Sequence, residues 1–217
     1  MFSVKSSLFE GTKPNKAGSQ TGAGVGILTG ASATVGNSAI LGNAAFGLEV
    51  TQASATITHT HIEGTLPDVK GNNGAGVLGV DVKSLQITSS VLLSNHLAGV
   101  LAMGGPVKID TGVIRGVKLG KFQPPAGKGV DGLGDGVLAT LGVPATTVDI
   151  TSTLVEDCER AGLLFASTAG SIHTSTSTKN RFGLVLQGSP GPDVATDNAF
   201  VGNTEKDRVD SGMLPTP

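Results

Sequence analysis

The sequence predicts an all-β solenoid in which short strands stack turn upon turn. Three observations carry that prediction: a recurring glycine-apolar motif, a period in the low twenties, and short apolar runs that alternate instead of keeping helical spacing. The motif stands at Gly26-Ile27-Leu28, Gly47-Leu48-Glu49-Val50, Gly76-Val77-Leu78, Gly99-Val100-Leu101-Ala102, Gly136-Val137-Leu138-Ala139, Gly162-Leu163-Leu164-Phe165 and Gly183-Leu184-Val185-Leu186. Subtracting successive glycine numbers gives steps of 21, 29, 23, 37, 26 and 21 residues. A low-twenties period lengthened at some steps is the mark of stacked turns carrying insertions.

The chain enters in mid-repeat, because residues 4–11 read as the second half of a turn whose first half is missing. On this reading the chain is the C-terminal part of a longer protein, with Met1 added and any export signal removed. The turn that follows Gly76 shows the grammar: Val77, then Leu85 and Ile87, then Val91, in short runs broken by Gly79, Ser84, Ser89-Ser90 and Asn95. These runs are too short for helices and carry strand-type residues between turn-type residues. The next turns repeat it with Val107-Lys108-Ile109-Asp110 and Val113-Ile114, then with Val148-Asp149-Ile150-Thr151 and Leu154-Val155. Three short strands per turn predict three parallel sheets around a narrow core. After Asn203 the chain becomes polar and proline-bearing, so 204–217 is read as a cap or tail on one domain spanning 1–217, with turns over about 2–203.

Composition bounds the function more by exclusion. Of 217 residues 33 are glycine, none is Trp or Tyr, and 15% are charged, against roughly 25% in an average domain. A net charge of −2 offers no electrostatic case for nucleic acid or an anionic membrane surface. No apolar window approaches 18 residues, so no membrane span is read. The lone Cys158 excludes an intrachain disulfide.

The pattern of Gly-apolar-x-apolar, a second strand, then Asn or a substitute about four residues before the next Gly resembles the right-handed parallel β-helix repeats. The resemblance covers nearly the whole chain and implies a single β-helix of about eight turns. In overall wording, including Asp197-Asn198-Ala199-Phe200-Val201-Gly202-Asn203, the chain is similar to β-helix-repeat surface proteins of predatory soil bacteria. That likeness implies an extracellular, periplasmic or outer-surface location.

Asn43, Asn95 and Asn180 precede marker glycines by four, four and three residues, and read as a structural asparagine ladder at a left-handed corner. Cys158 takes the same slot. Three insertions, 12–23, 65–75 and 118–135, all fall directly before the glycine strand and should emerge from one edge, where function commonly resides on a rigid scaffold. The outward column of that strand reads Leu28, Glu49, Leu78, Leu101, Leu138, Leu164, Val185, mostly apolar where a solvated face is polar. Two readings are open: the insertions fold over this face, or another protein or a second copy covers it. The interface residues are then Leu28, Leu78, Leu101, Leu138, Leu164 and Val185.

Many β-helix proteins act on polysaccharides, and that resemblance implies a carboxylate-and-cation site beside the loops. Lys108, Asp110 and Asp149 are the group that fits, on adjacent outward positions of the second strand. They do not reproduce the paired-Asp, His and Arg-x-Lys grouping of the polygalacturonase-like enzymes, and no Trp or Tyr is present to stack on a sugar. Asp131 and Asp135 in the long insertion, and Glu156, Asp157, Glu159 and Arg160 at a later corner, read as solvated charges. His59 and His61 share one strand face without a third zinc ligand, so no metal or cofactor is assigned. The expected role is a non-catalytic scaffold that binds a protein, with a polysaccharide-active enzyme or glycan-binding module as the alternative.

Overall fold

The structure, a computed structural model, describes residues 2–13, 22–123 and 129–210. Those residues form three parallel sheets, each stacking eight strands. The chain enters on the second sheet with Phe2–Lys5, passes to the third with Leu8–Glu10, and reaches the glycine sheet at Val25–Ile27. It then repeats that circuit to Asp193–Val194, Ala199–Val201 and Lys206–Asp210. Each strand pairs with its equivalent one turn on, as in Val100↔Val77 and Val100↔Val137. Short extended runs joined by tight corners can satisfy their backbone groups only along the stack, which makes the molecule a right-handed parallel β-helix. Residues 206–210, expected in a cap or tail, form the last strand of the glycine sheet through Phe182↔Lys206 and Val185↔Val209.

Alternation places one residue in two inside. Ala55, Ile57, Leu85, Ile87, Val107, Ile109, Val148 and Ile150 fill the core from the second sheet, and Ile40, Ile62, Leu92, Ile114 and Val155 from the third. The glycine sheet closes it with Leu48, Val50, Val77, Val100, Val137, Leu163, Phe165 and Leu184.

The marker glycines are required for space. A Cβ on Gly99 would sit 2.7 Å from the Gly136 carbonyl oxygen, and one on Gly47 would sit 2.6 Å from both the Gly76 carbonyl oxygen and Ile62 Cγ2. The first turn departs from the expected register. Gly26 pairs with Glu49, and a Cβ there meets nothing within 4 Å. Gly24 is the true equivalent, since its Cβ would meet the Asn43 side chain and, at 2.8 Å, the Gly47 carbonyl. The two-residue offset preserves in-out parity, which is why the motif was legible at the wrong glycine.

The asparagine ladder exists, with a different origin. The left-handed residues at this corner are the preceding ones, Gly42 (φ 58), Ser94 (φ 52) and Lys179 (φ 57). Asn43, Asn95 and Asn180 turn inward, and each Oδ1 accepts the backbone N–H of the slot one turn earlier: Thr12 at 3.0 Å, Thr65 at 3.0 Å and Cys158 at 2.9 Å. Thr65, Val117 and Cys158 interrupt the column, so only Asn180 and Asn203 join amide to amide, at 3.1 Å.

A second ladder, of hydroxyls, lines the corner between the second and third sheets. Asn37, His59, Ser89, Thr111, Ser152 and Thr174 take φ between 48° and 55° there. The next residue carries a hydroxyl at Ser38, Thr60, Ser90, Thr153 and Ser175, and Gly112 leaves a gap in the column. Ser90 Oγ accepts the Thr60 N–H at 3.1 Å and donates to the Thr88 carbonyl at 2.9 Å, and Ser175 repeats this with Thr153 N–H at 3.2 Å and the His173 carbonyl at 2.8 Å. His59 therefore sits at the corner, apart from His61, which pairs with Glu63 at 2.7 Å.

Overpacking of this kind costs roughly 1–3 kcal/mol. Gly99→Ala is expected to lower stability by that amount in urea unfolding, while Gly26→Ala leaves the midpoint unchanged; equal loss at both positions would contradict the assigned register.

Candidate functional site

The outward column of the glycine sheet runs Gly26, Glu49, Leu78, Leu101, Leu138, Leu164, Val185, Val209 by register. Leu28 lies off this column, at the N-terminal end of the sheet, and is 56% exposed. Leu78, Leu101, Leu138, Leu164 and Val185 are all buried. The open leucine interface expected from the sequence is thus corrected: the chain covers that face itself.

The cover comes from the insertions. Gly120–Phe122 pairs antiparallel with the start of Val130–Thr140, through Phe122↔Val130, Lys121↔Asp131 and Gly120↔Leu133. This hairpin lays Phe122 and Leu133 on the leucines beneath. The second insertion joins it, as the Asn73 N–H donates to the Lys121 carbonyl at 2.6 Å and Asn72 bridges Lys121. Asp68 organises that loop, its Oδ1 accepting the N–H groups of Lys70 at 2.8 Å and Asn72 at 2.9 Å. Most of the first insertion, 14–21, lies outside the described residues; its base is closed by Thr12 Oγ1 donating to the Gly22 carbonyl at 2.9 Å.

Apolar residues not absorbed by this cover point outward from the same edge. Leu66 is 51% exposed, Val69 62%, Leu119 41% and Val130 49%. All four stand in the second and third insertions. Sequence reasoning placed these two insertions and left open whether they or another protein cover the sheet beneath them.

Under the hairpin a groove of about 360 Å³ remains, lined by Leu101, Met103, Phe122, Leu138, Leu164 and Arg160 among others. Arg160 and Asp135, expected as solvated charges, form a buried pair. Arg160 Nε donates to Asp135 Oδ1 at 2.8 Å, Nη2 donates to Oδ2, and the Ala161 N–H reaches Oδ1 at 3.1 Å. Burial pushes the Asp135 carboxyl above its usual range, while the Arg160 hydrogen bonds and charge and the Ala161 N–H pull against it. The signal was present: the residue before each marker glycine is Phe46, Ala75, Ala98, Ala161 or Phe182, and Asp135 is the polar exception. Glu156 is likewise buried. Burial pushes its carboxyl up, but hydrogen bonds from Lys179 at 3.2 Å and from Arg115 outweigh that and hold it below its ordinary value.

The catalytic alternative is placed differently. Lys108 and Asp149 are register partners on the outer face of the second sheet, with Asp110 one outward position along. Asp149 accepts a hydrogen bond from Ser171 Oγ at 2.8 Å and Asp110 one from Thr111 Oγ1 at 3.2 Å. The register brings the three together on an open face, away from the groove under the hairpin. Cys158 is buried at the ladder corner, and burial pushes its thiol up to about 12.

Removing one member of a buried ion pair costs about 3–5 kcal/mol, whereas replacing both with apolar residues is often neutral. Asp135→Ala should therefore destabilise by that amount in urea unfolding, and Asp135→Leu combined with Arg160→Met should recover most of it. Cys158 should resist iodoacetamide at pH 8 in the folded protein and react fully once unfolded, as followed by mass spectrometry.

No family model matches the chain, and no curated protein matches it. Among solved structures it is similar to the crystal structure of pectate lyase Pel9A, at 14% sequence identity and a TM-score of 0.39, covering 81% of this chain and 51% of that one. The chain spans about half the length of that protein. No helix among the described residues is long and apolar enough to cross a membrane. The parallel β-helix fold is shown by the chain's own sheet order and register.

Proposed function

We propose that the protein is a non-catalytic β-helix scaffold, working outside the cell or at its envelope, that binds another protein through its loop edge. The observation that carries this reading is the concentration of Leu66, Val69, Leu119 and Val130, all well exposed, on two insertions tied to each other by Asn72, Asn73 and Lys121. Apolar side chains held outward by rigid loops gain most when a partner removes them from water. The groove mouth lies beside the same edge, since Val130 lines both. The surface differs from the leucine column expected at first, because that column serves as the floor on which the insertions fold.

The enzyme alternative would need Lys108, Asp110 and Asp149 to hold a sugar on an open sheet face. Lyase chemistry needs a positioned base, a cation that neutralises the uronate, and a site that excludes competing water. Lys108, Asp110 and Asp149 offer the first two on an open sheet face that does not offer the third, so the binding role is preferred.

Leu66→Asp with Val69→Asp should abolish co-elution with a cognate protein in size-exclusion chromatography while leaving the thermal midpoint essentially unchanged, as is usual for surface substitutions. Retention of every association by the double variant would reject the loop edge. Product release from a neutral or acidic polysaccharide, lost in Asp110→Asn, would reject the non-catalytic reading.

A further inference from the structure

The charges of this chain are sorted by place. The insertions 12–23, 65–75 and 118–135 together hold six lysines and three aspartates, a net charge of +3. The rest of the chain holds nine Lys and Arg against fourteen Asp and Glu, a net charge of −5. Two of the three aspartates are occupied within the fold. Asp68 is buried and accepts the Lys70 and Asn72 N–H groups, and Asp135 is buried against Arg160. The third, Asp131, pairs with Lys121 at 3.5 Å.

Register brings the remaining lysines onto the apolar edge. The Ala44↔Leu66 and His96↔Lys118 bridges are joined by the His96 N–H, which donates to the Thr65 carbonyl at 3.3 Å. Leu66 and Lys118 therefore stand in one column, two strand spacings or about 10 Å apart. Lys70 follows Val69, and Lys118 precedes Leu119. Both lysines are exposed, and neither has an ion-pair partner among the described residues. Glu159, one turn on from Lys118, accepts the Leu119 N–H at 2.7 Å.

Exposed Leu and Val interleaved with unpaired Lys restrict what can dock. A neutral or basic partner that covered the aliphatic side chains would strip water from the lysines and offer them no opposite charge. Carboxylates on the partner remove that penalty and steer its approach. An anionic membrane is the poorer fit. The chain has no Trp or Tyr to seat at a lipid interface, and two free lysines fall short of the clusters of about 4–8 that anionic leaflets hold.

We propose that the loop edge takes an acidic protein segment, whose carboxylates meet Lys70 and Lys118 and whose aliphatic side chains cover Leu66, Val69 and Leu119. This rests on the protein-binding reading of the edge and adds the chemistry of the partner.

The probes are fluorescein-labelled peptides built from three copies of Leu-Glu-Val-Glu, of Leu-Lys-Val-Lys or of Ser-Glu-Ser-Glu, read by anisotropy. At low salt the Leu-Glu peptide should bind saturably, and about tenfold or more tightly than either of the others. Lys70→Glu with Lys118→Glu should weaken it about tenfold and strengthen the Leu-Lys peptide; both positions are exposed, so the fold is retained. Leu66→Ser with Val69→Ser, which adds no charge, should weaken the Leu-Glu peptide by a similar factor. Salt at about 0.5 M should narrow the gap between the Leu-Glu and Leu-Lys peptides. Equal binding of those two peptides, both lost in the serine variant, would overturn the acidic partner and leave the protein-binding edge standing. Undiminished Leu-Glu binding in the lysine variant would do the same. Leu-Glu binding untouched by the serine variant would overturn both readings. Binding to phosphatidylcholine vesicles containing phosphatidylserine, lost in the lysine variant and unaccompanied by peptide binding, would replace the acidic protein with a membrane. Binding of none of these probes would also overturn the proposal.

Discussion

At the corner where the third sheet turns into the glycine sheet there is no room for a Cβ. A methyl group on Gly24, Gly47, Gly76, Gly99, Gly136 or Gly162 would lie within 2.5 to 2.9 Å of the carbonyl oxygen of the next equivalent glycine. The backbone there stacks directly on itself, and inward residues of the third sheet such as Ile62 and Ile114 press against it from the core. A wider corner would open the narrow interior, and the inward Val, Leu and Ile columns would no longer touch across it. The period of the sequence is thus set by the one point in each turn where a side chain is forbidden.

Tight corners leave backbone donors facing the core, and the two ladders answer them. The inward asparagines accept N–H groups from the preceding turn at one corner, and serines and threonines do the same at another while donating to a carbonyl two residues back. Both sets follow a left-handed residue, which aims the next side chain inward. A buried unpaired N–H costs about 1–3 kcal/mol, so a repeated corner without such partners would be heavily penalised. Where the asparagine column is broken, Cys158 stands in, its thiol donating to the Glu156 carbonyl at 3.6 Å.

The solenoid was legible because its determinants are local and repeated: a forbidden Cβ, period-two alternation, and turn residues between short strands. The position of the second and third insertions was legible for the same reason. The hydroxyl ladder was not, because Ser38, Ser90 and Ser175 look like ordinary turn residues until the corner shows that they point inward. The buried Arg160–Asp135 pair was hidden by sequence distance, 25 residues apart, and by the assumption that charged residues in loops are solvated. The leucine column was read correctly as apolar and outward, but outward from the core proved not to mean outward to solvent. What covers a sheet depends on where a hairpin lands, and that is a tertiary outcome with no periodic signature.

A stack whose turns touch only their neighbours behaves as a one-dimensional array, free to unzip from either end. The hairpin changes that for part of this molecule. By resting on Leu101, Leu138 and Leu164, and by holding the 65–75 loop through Asn73, it fastens several consecutive turns to a common lid. The 65–75 loop also grips the preceding corner, where the Ala45 N–H donates to the Leu66 carbonyl and the Leu66 N–H to the Asn43 carbonyl, both at 2.8 Å. The molecule therefore has a cooperative centre clamped from one edge, which its nearly uniform repeat does not disclose.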